Sequence, residues 1–355
     1  MSSYNTAYNA DDVDDLRSTL GYEKLNIYGI SYGSRLALEV LRRHGEHIRS
    51  AVVGGLVPSQ IVWTAGIPAG IDGALTNLNQ SCVAAGACGV AYGDLYAEFI
   101  AGVYDLQENP ISLDNGAIDL DGSTYASLLF RLMYSRSSYP WLPMVISDLA
   151  ARQTGRIDSF LVNAINAIGN SSVARGMYYS VVCGEMFSPP DPNAFEALNV
   201  GVPQDMQDIF GGGYYYSREI CRTWPNGPLQ ASLAAPVISA VPTFVASGEM
   251  DPVTPPYYGQ IAGDTLSDSL VVIYANSGHG STLQTECGRQ TFLAFLANPD
   301  TEMDVSCAET LTTEYILPSS AAPVAQLSQE TLAMELQLAP APPHMMDAIR
   351  RAIKN

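Results

Sequence analysis

The chain has 355 residues, 47% of them hydrophobic and 15% charged, with a formal net charge of −19 and a pI near 4.4. That length can bury a large core in one or two domains, and so apolar a composition excludes a disordered chain. The acidic field repels phosphate backbones and anionic lipids, which argues against nucleic-acid and membrane partners, and no run of about 20 apolar residues is present to span a bilayer.

From Asp11 to Leu20 the pattern predicts an acidic-faced amphipathic helix stopped at Gly21. Leu25 to Gly29 is a short apolar run of strand formers, Ser31 to Arg43 reads as a helix, and Ile48 to Val57 as a second buried strand closed by Pro58. Strand, helix and strand in this order, with apolar strands, predict a parallel sheet covered on both faces. From residue 59 to 235 helical patterns dominate: Asp94–Leu106, Thr124–Met133, Trp141–Arg152 and Ile157–Ile168. A hairpin is expected over Ile111–Leu120, turning at Asn115-Gly116, and Gly211 to Tyr216 reads as a flexible loop. The strand rhythm resumes at Thr243–Ala246 and Leu270–Tyr274, followed by a helix from Gly288 to Leu296. From Ala308 onward comes a Pro/Ala-rich connector with two short helical patterns, the last basic through Arg350, Arg351 and Lys354. The expected division is therefore residues 1–58 and 236–307 for a split core, 59–235 for an inserted helical lid, and 308–355 for a tail.

The six cysteines form three well-separated sequential pairs, Cys82/Cys88, Cys183/Cys221 and Cys287/Cys307. Of the possible pairings the sequential one is expected, each bridge contributing roughly 2–4 kcal/mol by restricting the unfolded chain. Such bridges predict an extracellular or periplasmic location, although Met1 to Asn5 lack the basic start and apolar stretch of a signal peptide. No CxxC pair or Cys/His cluster is present, so neither a metal nor a cofactor is expected.

Three motifs carry chemistry. Gly29-Ile30-Ser31-Tyr32-Gly33 is a G-x-S-x-G between strand and helix, where a strained turn lifts a serine hydroxyl to the end of the sheet. The amide of Tyr32, at the positive end of the following helix, is the expected oxyanion donor. Asp251, in Gly248-Glu249-Met250-Asp251-Pro252, sits just past a strand, where a carboxylate can orient a histidine. His279, in Ser277-Gly278-His279-Gly280, also follows a strand and is the candidate general base. His44, His47 and His344 read as surface or packing residues. The order Ser31, Asp251, His279, each at a strand end, is that of an α/β-hydrolase.

These residues resemble the tripeptidyl aminopeptidase and proline iminopeptidase branch of the α/β-hydrolases. The similarity runs through Asp12–Arg35, Gly248–Pro256, and Ser277-Gly278-His279-Gly280 followed by Cys287-Gly288; Val182-Cys183-Gly184-Glu185 with Cys221 and Trp224 is similar to its helical lid. The resemblance implies cleavage at a peptide's N-terminus with lid acids gripping the free ammonium, and Glu185 is the nominated residue. It also implies several strands and a His-Gly-Gly loop ahead of the nucleophile strand, for which 30 residues leave no room; no His-Gly-Gly occurs. The expected fold is a truncated α/β-hydrolase of four strands with one uncovered edge. A second copy of the chain is the expected partner at that edge, with the C-terminal tail or a separate N-terminal fragment as alternatives. The expected function is a serine hydrolase acting on small esters or N-terminal peptides. The competing readings are a carboxylesterase without peptidase activity and a non-catalytic module that needs a partner chain.

Overall fold

The computed structural model describes residues 4–169, 173–188, 191–225 and 231–318. The two helical patterns predicted late in the connector, with Arg350, Arg351, Lys354 and His344, lie outside the described residues.

The chain opens with helix α1 (Thr6–Thr19), strand β1 (Leu25–Ile30), helix α2 (Tyr32–His44) and strand β2 (Ile48–Gly54). Asn5 starts α1 by accepting a hydrogen bond from the Tyr8 amide, one turn before the acidic stretch that marks the helix in the sequence. Strand β2 stops three residues short of the predicted Val57 because Gly55 turns the chain with φ of +54°.

Helices then follow: α3 (Ile67–Ala84), α4 (Ala87–Tyr92) and α5 (Leu95–Glu108), the last capped by Asp94. Strands β3 (Ile111–Leu113) and β4 (Ile118–Leu120) form the expected antiparallel hairpin, with Asp114, Asn115 and Gly116 all at positive φ in its turn. Next come α6 (Gly122–Leu132), α7 (Leu142–Ala150), α8 (Asp158–Gly169), α9 (Arg175–Met186), α10 (Ala194–Leu198), α11 (Gln204–Phe210) and α12 (Gly212–Cys221). Helices α3 to α8 and α11 share a large apolar core built on residues such as Leu75, Phe99, Leu128, Phe130 and Ile146, while α9, α10 and α12 pack around Val182, Phe195 and Tyr214.

Helix α12 corrects the predicted Gly-rich loop. Three glycines weaken helix propensity, but Tyr214 is buried against Phe187 and Phe195 and the helix ends in the Cys183–Cys221 disulfide. A side chain on Gly211 would lie 2.8 Å from the Phe195 ring, so the glycine lets this helix close onto its neighbour. The other two disulfides, Cys82–Cys88 and Cys287–Cys307, also follow the sequential pairing.

The last described part contains β5 (Thr243–Gly248), α13 (Pro256–Gly263), β6 (Ser269–Tyr274), α14 (Ser281–Gln284) and α15 (Glu286–Ala297). Strands β1, β2, β5 and β6 make one parallel sheet in the order β1-β2-β5-β6. Alternation splits its core: Ala51, Val53 and Val245 face Ala10, Leu38, Leu41 and Ala262, while Val52, Phe244 and Ala246 join Phe295 on the opposite side. Strand β1 is an edge strand that pairs only with β2 among the described residues, as the four-strand reading predicts. Residues 308–317 run as a strap over the helices: Asn276 donates to Leu311 O, the Ile316 amide to Pro140 O and Tyr92 to Ile316 O.

Candidate active site

The sheet presents Ser31 at the end of β1. The serine has φ 59° and ψ −127°, a strained backbone for a non-glycine residue. The turn is locked from both sides: its amide donates to Gly54 O of β2, and its carbonyl accepts from the amide and hydroxyl of Ser34. Gly29 is obligatory here, since a Cβ would lie 2.2 Å from Gly33 O. Gly33 is different: a Cβ there meets nothing within 4 Å, so only the first glycine of the motif is sterically required. Tyr32 begins α2, which puts its amide among the unsatisfied donors of the helix start. Its hydroxyl accepts from Asn9 Nδ2 at 3.1 Å and lies 3.1 Å from Thr6 Oγ1, tying α1 to this turn.

Asp251 and His279 come from the two neighbouring strand ends and form a buried pair, their side chains no more than 1% exposed. Nδ1 of His279 lies 2.8 Å from Oδ2 of Asp251. The other carboxylate oxygen accepts from the amides of Val253 (3.0 Å) and Thr254 (2.9 Å), so the aspartate both shapes its own turn and holds the imidazole. The Thr254 hydroxyl donates to Asp251 Oδ2 at 2.5 Å and lies 3.0 Å from His279 Nδ1. His279 is fixed from its backbone as well, its amide donating to Tyr134 O and its carbonyl accepting from Gln284. Its Nε2 is buried and has no hydrogen-bond partner among the described residues.

Packing completes the imidazole's cage. The Tyr134 ring lies 5.0 Å from that of His279, and the Arg131 guanidinium sits over the same tyrosine ring, 4.3 Å from its centroid. Burial pushes the Tyr134 hydroxyl pKa up and the Arg131 pKa down. Gly55 presses on the imidazole from another side: a Cβ there would lie 2.8 Å from His279 Cε1. Thr254, Tyr134 and Gly55 were not singled out by sequence. Thr254 stands inside the quoted aspartate motif and was within reach, whereas Tyr134 and Gly55 carry no local signature.

Ser31, Tyr32 and His279 line one cavity of about 960 Å³ whose wall is largely apolar, with Trp63, Met177 and Val253 among its residues. Glu185 does not line it. This carboxylate, nominated to grip a substrate ammonium, is buried and accepts instead from the Thr6 amide at 2.7 Å and from Arg35 Nε at 3.1 Å. Arg35 spends its remaining donors on Pro58 O and Leu233 O. Glu185 thus stands off the cavity wall in a buried ion pair with Arg35, which does line the cavity, and accepts one hydrogen bond at each carboxylate oxygen.

Two family models match the chain. One, described as alpha/beta hydrolase fold, covers residues 2–65, which hold the serine turn; the other, TAP-like protein, covers residues 207–307, which hold the aspartate and histidine. Both ends of the chain thus resemble the α/β-hydrolase superfamily, whose fold it has. Within it, this hydrolase is 26% identical over 329 residues to the tripeptidyl aminopeptidases of Streptomyces coelicolor and Streptomyces lividans, a match covering 87% of this chain and 58% of theirs. The chain thus spans little more than half the length of these curated relatives. Among solved structures it is similar to an α/β-hydrolase enzyme from a Medee basin deep-sea metagenome library (16% identity, TM-score 0.37, covering 85% of this chain and 74% of that one). It is also similar to an esterase from Exiguobacterium antarcticum (14% identity, TM-score 0.33, 84% and 75% covered).

Proposed function

We propose that the chain is a serine hydrolase working through an acyl-enzyme intermediate, with Ser31 as nucleophile, His279 as general base and Asp251 as the group that orients it. The observation that carries this reading is a serine held at φ 59° on the same cavity as the free Nε2 of a buried His–Asp pair. In the reaction, Ser31 Oγ attacks the carbonyl carbon while His279 Nε2 takes its proton. Asp251 and Thr254 hold the Nδ1–H side of the ring, and the Tyr32 amide donates to the oxyanion. The imidazolium then protonates the leaving group, and water attacks the acyl-enzyme by the reverse proton path.

The relatives suggest N-terminal peptides as substrates, and the cavity suggests esters. Ester substrates are favoured by one feature: among the described residues no Asp or Glu lines the cavity, and Glu185 is engaged with Arg35. An ester also demands less of the oxyanion site than an amide does. The test is intact mass after treatment with a fluorophosphonate. A single adduct on the chain and none on Ser31→Ala is the expected result; no adduct on folded protein rejects the assignment. Turnover of p-nitrophenyl esters without turnover of peptide anilides then selects the esterase reading, and the converse selects the aminopeptidase.

A further inference from the structure

A second group of chemically capable side chains lies on the outer face of α1 and α2, away from the cavity. Asp11 and Asp14 are three residues apart on α1 and share a face. His44 ends α2 and His47 closes the single 3₁₀ turn that follows. Helix packing brings the two pairs together, although the sequence reads both histidines as surface or packing residues. His44 Nε2 lies 2.8 Å from Asp11 Oδ1, His47 Nδ1 lies 2.8 Å from Asp14 Oδ1, and His44 Nδ1 lies 3.8 Å from Asp14 Oδ2.

We propose that Asp14, His44 and His47 form a binding site for a divalent cation of the zinc class, with Asp11 as the outer carboxylate that orients His44. Hydrogen-bond direction carries the first part of the argument. Asp11 is an acceptor only, so it fixes the proton of His44 on Nε2 and leaves the Nδ1 lone pair directed at Asp14. In that neutral tautomer two acceptors stand 3.8 Å apart, too far for a hydrogen bond and close enough to share a cation. A carboxylate holding the far nitrogen of a ligating histidine is the usual outer arrangement of zinc sites.

Distance carries the second part. One ligand atom from each of Asp14, His44 and His47 can be chosen so that all lie within 4.8 Å of one another. Ligands of a tetrahedral zinc stand about 3.4 Å apart, given bonds of about 2.0–2.1 Å. The side chains are 18%, 21% and 35% exposed, so small rotations close that gap and water can complete the coordination. Two imidazoles with one carboxylate favour zinc-class ions over calcium or magnesium, which take oxygen ligands. Arg17 competes, since its Nε donates to Asp14 Oδ1 at 2.7 Å, while Arg43 pairs with Asp11 on its outer side. A bound cation would pin α1, which carries Thr6 and Asn9, to the end of α2, and so would steady the Tyr32 hydroxyl between them.

The test does not depend on the hydrolase reading. The full chain, stripped with chelator, is dialysed against Zn²⁺ and, in parallel, titrated with Co²⁺ while the visible absorption of tetrahedral cobalt is followed. Expected are one cation per chain and at least tenfold weaker binding in His44→Gln and in His47→Gln. Asp11→Asn should weaken binding about tenfold to a hundredfold, and Arg17→Gln should tighten it. Absence of saturable binding to the unaltered chain overturns the proposal whatever the variants do. Binding that persists undiminished in the His44→Gln/His47→Gln double variant also overturns it, by placing the cation elsewhere.

Discussion

Removing the Glu185 carboxylate decides between its two possible roles. In Glu185→Ala the Arg35 guanidinium, 2% exposed, keeps only the carbonyl oxygens of Pro58 and Leu233, and the Thr6 amide loses its acceptor. Stripping one partner from a buried ion pair costs about 3–5 kcal/mol. With an unfolding entropy of about 2.1 cal/mol/K per residue over 355 residues, Tm should fall by roughly 4–7 °C. The double variant Arg35→Met/Glu185→Met should recover part of that loss, because it removes the stranded charge along with its partner. Thermal unfolding by circular dichroism measures the stability arm, and kcat and KM on an ester and a peptide substrate measure the other. Unchanged Tm with a KM raised for peptides alone would refute the structural role and restore the carboxylate as a substrate grip.

Other outcomes test the site's geometry. Gly29→Ala must push Gly33 O away from a Cβ 2.2 Å distant, so the serine turn shifts and kcat should fall about a hundredfold. Gly33→Ala, with no atom within 4 Å of its Cβ, should keep most of its activity; equal losses in the two would contradict the turn. Thr254→Val deletes a hydroxyl that donates to a buried carboxylate, worth about 1.5–3 kcal/mol. An esterase assay should show kcat down tenfold to a hundredfold with KM unchanged. Finally, Arg17, followed by His47, holds the Asp14 carboxyl at about 2, below its ordinary 3.8. Its folded pKa is depressed, so the stabilisation is present above about pH 4 and is lost as pH falls through 2. Urea midpoints should therefore drop less across that window in Asp14→Asn than in the unaltered chain.

Much of this arrangement could be read from residue order. Strand β1, the serine turn and α2 follow from a short apolar run, a G-x-S-x-G and an amphipathic repeat, all local signals. The hairpin is equally local, fixed by Asn115-Gly116. Asp251 and His279 are legible because each follows a strand and is flanked by residues that shape a turn. Helix α12 was not, because its stability comes from Tyr214 packing on Phe187 and Phe195 and from a disulfide to α9, all contacts made from a distance. The partner of Glu185 is hidden for the same reason: its sequence neighbourhood announces an acid in a lid, while its ion pair is with Arg35, 150 residues earlier. The Asp–His cluster also joins segments about 30 residues apart that carry no shared motif.

The Arg35–Glu185 clasp has a consequence for how the chain folds and how long it stays folded. It gathers residue 6, residue 35, residue 185 and residue 233, with sequence separations of 179, 150 and 198 between bonded partners. Contacts of such range return nothing until long loops have closed, and the expectation is that they complete only after the main barrier, which a chevron of Glu185→Ala would show as faster unfolding at an unchanged folding rate. Interactions absent from the transition state leave the folding rate nearly untouched and act on the rate of escape from the native state. The clasp is therefore a retention device: it slows the first opening of α1 and the helical layer away from the sheet, and so governs the lifetime of the assembled site more than the speed of its assembly.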